Sequence, residues 1–198
     1  MPEAHLVEPM RIAELPVGGA SGGCLGITFC PGRREPGQTE GADASLSGRD
    51  LDRDLDRIAA WQPETVVSLM RGHEFPRVGL TIERLAAGLA ARGLVWRHLP
   101  ITDMAAPDQD FEAIWRVEGA LLRARLRAGE RVLVHCRGGL GRAGTVAARL
   151  LIELGWEPPR AIAAVRAARS PAAIETTAQE AHLHACSRQD DNLLGERS

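Results

Sequence analysis

Lysine is absent from this 198-residue chain, and its 24 basic residues are all arginine. A nucleotide-binding P-loop needs Gly-Lys-Ser/Thr at the start of a helix, so that class is excluded. The arginine excess itself reads as composition bias. Cysteine is scarce: Cys24, Cys30, Cys136 and Cys186 are irregularly spaced and too few to staple a chain of this length, so each is expected as a thiol. No apolar run approaches the length needed to cross a bilayer, and the start, MPEAHLVEPMRIAEL, lacks the basic and apolar blocks of a secretory signal. A formal net charge of −2 gives no bulk attraction to nucleic acid or to a membrane surface. A cytoplasmic protein with neither of those partners is expected. Nothing in the sequence speaks to oligomeric state.

What is present is an alternation of strand-like and helix-like segments around one core. The expected organisation is a flexible arm over 1–10, a single domain over 11–186 and a polar tail over 187–198. Leu25 to Cys30 reads as a strand, and the Gly/Pro-rich polar stretch over 31–50 as a surface loop. Leu51, Leu55 and Ile58 recur at helical spacing before a short β-rich run, Thr65 to Met70. Leu80, Leu85 and Leu89 predict a helix over 76–92, ended by Gly93, and Leu94 to Leu99 a further strand. A long helix over 111–128 is expected to turn Phe111, Ile114, Trp115, Leu121 and Leu122 inward. It leads to a strand over 131–135 and three helices over about 142–154, 159–168 and 171–185. The pattern predicts an α/β fold with a central, mostly parallel twisted sheet flanked by helices.

The segment VLVHCRGGLGRAG carries the chemistry. An aliphatic strand ends on His135 and Cys136, and the chain then passes through Arg137, Gly138, Gly139, Leu140 and Gly141 to a helix that starts near Arg142. Ligands of open α/β sheets gather at the carboxyl ends of strands. Successive N–H groups of a glycine-rich turn can curl into an anion nest, and the helix N-terminus adds partial positive charge. Arg142 offers a planar fork able to hold two phosphate oxygens. The same field would favour Cys136 as a thiolate nucleophile. Thiolate attack on a phosphoester also needs an acid to protonate the leaving oxygen. Asp103, Asp108 and Asp110 lie together in ITDMAAPDQD.

The run HCRGGLGR resembles the Cys-x5-Arg loop of cysteine-dependent protein tyrosine and dual-specificity phosphatases. With GITFCPGRR, HLPITDMAAPD and RSPAAIETTAQE, the chain is most similar to the kinase-associated phosphatase (cyclin-dependent kinase inhibitor type) branch. That resemblance implies hydrolysis of phosphotyrosine, and of phosphoserine or phosphothreonine, through a cysteinyl-phosphate, with no cofactor and no metal. The substrate would be a phosphorylated protein or a small phosphomonoester. Alternatives are a phosphoinositide or nucleotide phosphatase, a sulfur-transfer enzyme, or a non-catalytic phosphoprotein-binding module. Asp103 matches the family acid, while Asp108 and Asp110 read as turn and helix-capping residues before Phe111.

Several residues are expected in support. His135 would lock the loop by hydrogen bonding rather than act as a base. Glu175 and Gln179, at i and i+4, would share a helix face and position water, or else be solvated. His182 and Cys186 also share a face, without a third metal ligand. Where most relatives carry Ser or Thr after the signature arginine, this chain has Ala143, so the sulfur loses a hydroxyl donor. Thr145 lies about 200° further round the helix and would not replace it.

Overall fold

The computed structural model describes residues 9–18, 22–33 and 50–195. Residues 1–8 of the expected arm, 34–49 of the expected loop and 196–198 of the expected tail lie outside the described residues. Five strands, β1 (Ala13–Pro16), β2 (Cys24–Phe29), β3 (Thr65–Ser68), β4 (Val95–His98) and β5 (Arg131–Cys136), form one sheet in the order β1-β2-β5-β3-β4. All neighbours run parallel except β1 and β2. Among the described residues the six α-helices are α1 (Leu51–Ala60), α2 (Ile82–Ala90), α3 (Gln109–Arg127), α4 (Gly141–Glu153), α5 (Pro158–Ala168) and α6 (Thr177–Gly195).

The helices cover both faces of the sheet, as its buried parallel strands require. Leu55 and Ile58 of α1 and Leu85 and Leu89 of α2 pack with Val66 and Leu133 on one face. On the other, Phe111 and Trp115 of α3, the apolar side of α4, and Ala161 and Val165 of α5 pack with Val67, Val132 and Val134. Strand side chains alternate between faces. On β5, the central strand, Cys136 therefore shares the α4 face with Val132 and Val134, while His135 turns to the opposite face. Local signals place the helix starts. Asp50 caps α1, Thr81 caps α2, and Asp108 caps α3 by accepting from Phe111 N at 2.9 Å, as expected of it.

Three expectations need correction, and two features are additional to them. The helix expected over 76–92 begins only at Ile82, because Pro76–Val78 forms a 3-10 turn closed by Gly79 in the left-handed region. On α3 the inward stripe is Phe111, Trp115, Gly119, Leu122 and Leu126; Ile114 and Leu121 are 43% and 48% exposed. The helix expected over 171–185 starts at Thr177 and runs to Gly195, past Ser187. Strand β1, with buried Ala13 and Leu15 alternating with exposed Glu14 and Pro16, was not anticipated. Met10, at the end of the expected arm, is 1% exposed and packs in the core.

Candidate active site

Cys136 ends β5 and the cradle loop follows it directly into α4. The loop's carbonyls are all engaged away from the sulfur. Arg137 O accepts from Cys30 N (3.2 Å), Gly138 O and Gly139 O from Arg169 (2.9 and 3.0 Å), and Leu140 O from Gly144 N (3.0 Å) and Ile174 N (3.3 Å). Gly141 O accepts the Thr145 hydroxyl at 2.8 Å. The N–H groups of Gly138, Leu140, Gly141 and Arg142 meet no acceptor among the described residues. Gly139 N–H donates to Cys136 Sγ at 3.2 Å. Backbone groups of a folded chain are rarely left unpaired, and a row of free donors in the loop that follows a buried thiol is an arrangement suited to holding an anion. Gly139 makes the turn possible: its φ is +70°, and a Cβ there would lie 2.4 Å from Thr28 O.

Arg142 is held rigidly. Its side chain is buried, Nη1 and Nη2 donate to the two Glu74 oxygens at 2.7 and 2.9 Å, and Nη1 also donates to Ile101 O at 3.1 Å. Asp103 Oδ1 lies 2.8 Å from Nη2. Arg142 Nε is buried without a partner. Burial alone would raise the Glu74 carboxyl, but hydrogen bonds from Arg142 and from Arg71 N–H outweigh it and hold the group below its ordinary range. Glu74, from the 3-10 turn Gly72–Glu74, was missed in the sequence reading, as was Arg169, which braces two loop carbonyls. Burial is the main cause lowering the Arg169 guanidinium from its ordinary value, and the positive charge of Arg11 adds to it.

His135 faces away from the thiol. Its Nε2 lies 2.5 Å from Ser68 Oγ, which also accepts from Trp96 Nε1 at 2.8 Å. Complete burial pushes its imidazole down to about 4, so it is neutral near pH 7. Glu175 and Gln179 do not share a helix face, because Glu175 precedes α6. Gln179 is fully buried and ties the loops together: Oε1 accepts from Glu175 N (2.9 Å) and Thr176 N (3.3 Å), and Nε2 donates to Ala105 O (3.1 Å) in the Asp103 loop. Exposed Glu175 sits over Gly141, where a Cβ would fall 2.3 Å from its Oε2. Asp108 is 3.2 Å from Arg71 Nη2. Asp110 sits exposed in the first turn of α3. Arg137 projects to solvent. His182 Nε2 and Cys186 Sγ are 3.4 Å apart, yet the Arg149 guanidinium lies 3.3 Å from the same nitrogen and would oppose a bound cation. Among the described residues no group of three His, Cys, Asp or Glu side chains could hold a metal, and no helix is long and apolar enough to cross a membrane.

A parallel α/β sheet whose central strand delivers a cysteine into a backbone-amide cradle, closed by an arginine on the following helix, defines the class of tyrosine-phosphatase-like domains. The family described as the Swiss Army Knife protein DSP-PTPase phosphatase domain matches residues 41–189, and the chain belongs to that family. Cyclin-dependent kinase inhibitor 3 of Rattus norvegicus is 38% identical over 94 residues, covering 46% of this chain and 43% of that protein. Its Homo sapiens counterpart is 36% identical over 94 residues, with the same coverage of 46% and 43%. The match thus spans less than half the length of these curated relatives. Among solved structures, kinase associated phosphatase with its catalytic-site cysteine changed to serine superposes with a TM-score of 0.74 at 25% identity, over 94% of this chain and 97% of that one. Tk-PTP in its active form gives 0.61 at 27% identity, over 83% and 92%.

Proposed function

We propose that the chain hydrolyses phosphomonoesters of proteins, phosphotyrosine and also phosphoserine or phosphothreonine, with Cys136 as nucleophile, Arg142 as phosphate clamp and Asp103 as general acid and base. The observation that carries this reading is the set of unpartnered donors that follows the Cys136 thiol: the free loop N–H groups, and a buried Arg142 Nε that has no acceptor. An orphaned buried donor costs about 1–3 kcal/mol, a cost that a bound phosphate removes.

The clamp geometry suggests how the acid is released. Each Nη of a guanidinium carries two N–H bonds and Nε one. Glu74 takes one from each Nη, and Asp103 faces the remaining bond of Nη2. A phosphate entering the cradle takes that bond together with Nε–H as a bidentate pair, and Asp103 turns to the leaving oxygen. The Cys136 thiolate then attacks phosphorus, the S–P bond forms as the P–O bond to the substrate breaks, and Asp103 supplies the proton that the departing oxygen takes up. In the second step Asp103 accepts a proton from water, whose oxygen attacks phosphorus. The S–P bond breaks, inorganic phosphate leaves and the sulfur returns as thiolate, with Gly139 N–H still donating to it.

Hydrolysis of para-nitrophenyl phosphate by the wild-type chain, abolished in Cys136→Ser, is the expected result. A folded wild-type chain without turnover, or a Cys136→Ser variant that retains it, would refute the proposal.

A further inference from the structure

Beside the cradle lies a cavity of about 110 Å³ lined by Arg71, His73 and Arg77, by Thr102 and Asp103, and by Arg137. It shares Glu74 and Asp103 with the clamp on Arg142, so a group bound in it would lie next to the scissile phosphate. We propose that this cavity is a second anion subsite that selects phosphopeptides carrying a carboxylate or a second phosphate beside the residue to be dephosphorylated. This inference rests on the phosphatase reading above and names the substrate class for it.

The charge distribution supports it. Both acids in the cavity wall are turned to Arg142, and Asp108 faces Arg71. Arg77, Arg137 and His73 form no ion pair among the described residues, unlike Arg92, Arg97 and Arg166, which each face a carboxylate. With Arg71 facing Asp108 and both wall acids turned to Arg142, Arg77 and Arg137 bring positive charge to one small cavity that an entering anion would neutralise.

The wall is also preorganised. Arg71 Nε donates to Thr102 Oγ1 at 2.9 Å, which fixes its head. His73 and Arg77 project from two consecutive 3-10 turns whose buried Phe75 and Val78 anchor them in the core, and Pro76 sets the backbone between. A cavity of this size holds several waters, and therefore one carboxylate or phosphate group. A peptide suits the surroundings better than a lipid. Met104 is the one large apolar side chain exposed in the Asp103 loop, while Ile114, Val117 and Leu121 lie along α3. No apolar rim for entering a bilayer surrounds the cavity among the described residues, and Arg137 is the only basic residue between Cys136 and Arg142.

The test compares kcat/KM for matched phosphotyrosine peptides with alanine, aspartate or phosphoserine beside the phosphotyrosine, in wild type, Arg77→Ala and Arg77→Glu. Para-nitrophenyl phosphate serves as the substrate without a flank. Wild type should favour the acidic flanks roughly tenfold, mainly through KM and less so at high salt, as partly exposed charges imply. Arg77→Ala should reduce the preference to about threefold or less, and Arg77→Glu should reverse it, with para-nitrophenyl phosphate turnover within about twofold throughout. Equal kcat/KM for all flanks in wild type, or a preference unaltered in Arg77→Glu, would overturn the inference while para-nitrophenyl phosphate hydrolysis left the phosphatase reading intact. Arg77-dependent turnover of vesicles containing phosphatidylinositol bisphosphate, faster than of any peptide, would overturn it in favour of a lipid. Absence of para-nitrophenyl phosphate turnover would instead remove the reading on which it rests.

Discussion

Ala143 offers a way to ask which chemical step limits turnover. It is fully buried in the first turn of α4 and packs in the same cluster as Cys136. Among the described residues the Cys136 sulfur receives one hydrogen bond, from Gly139 N–H at 3.2 Å. Thr145, the nearest hydroxyl along the helix, donates instead to Gly141 O at 2.8 Å. When the S–P bond of the intermediate breaks, negative charge develops on Sγ with that single donor. A hydrogen bond to a charged group is worth about 1.5–3 kcal/mol, so a second donor could speed the step by roughly 10- to 100-fold if most of that energy appears in the transition state. A serine hydroxyl at position 143 has competing acceptors in Leu140 O at i−3, already held by Gly144 N and Ile174 N, and Gly139 O at i−4, already held by Arg169 Nε at 3.0 Å. The expected gain in Ala143→Ser is therefore about tenfold, at the low end of the range. Rapid mixing of the wild-type chain with para-nitrophenyl phosphate should release a burst of nitrophenol near one per active site before a slow steady state. Ala143→Ser should raise the steady-state rate and shrink the burst. No burst in wild type together with no gain in Ala143→Ser would show that Gly139 N–H alone suffices and that breakdown of the intermediate does not limit turnover.

Glu74→Gln should lower stability by roughly 3 kcal/mol, because it leaves the buried Arg142 charge with only the exposed Asp103 carboxylate as counter-ion; saturating inorganic phosphate should restore part of the loss, and an unchanged denaturation midpoint would refute the clamp. Arg142→Lys should lose most activity, since an ammonium cannot make the paired contacts of a guanidinium, and near-native kcat/KM would contradict that. Gly139→Ala should abolish turnover, with its φ of +70° and its Cβ 2.4 Å from Thr28 O, whereas Gly138→Ala, which meets nothing within 4 Å, should stay within a few-fold of wild type. His135 binds its proton more weakly folded, at about 4, than unfolded, at about 6.5, so stability is full above pH 6.5 and falls as pH drops toward 4. The drop should be roughly 3 kcal/mol and should shrink in His135→Gln, leaving the contribution of His182, also lowered by burial; an unaltered slope in urea titrations would refute it.

The placement of Cys136 and Arg142, the proposed nucleophile and clamp, and the sheet that presents them were legible because they are written locally: an aliphatic strand, a bare turn and a helix start within one short run. The cap at Asp108 was legible for the same reason. The clamp on Arg142 was not, since Glu74 sits 68 positions away in a 3-10 turn that no periodicity marks. Arg169 was quoted at the head of RSPAAIETTAQE, but nothing in its neighbours says that it reaches back 30 positions to Gly139 O. The inward face of α3 was read too wide around the helix, because Ile114 and Leu121 are apolar yet flank the stripe rather than form it. Gln179 belongs to this group too: its fully buried amide bonds three backbone groups on two segments, a role that spacing to Glu175 did not reveal.

The most direct test of the central claim is acid quenching of the wild-type chain within the first turnover on para-nitrophenyl phosphate, followed by peptide mapping for covalently bound phosphate. The account predicts a phosphoryl group on Cys136 alone, absent in Cys136→Ser, accumulating more in Asp103→Asn, where water is no longer activated, once the first step has been driven by the good leaving group. Cys30, whose thiol burial pushes up to about 12, should stay unmodified. Turnover with no phosphocysteine at any time, or phosphate on another residue, would contradict it.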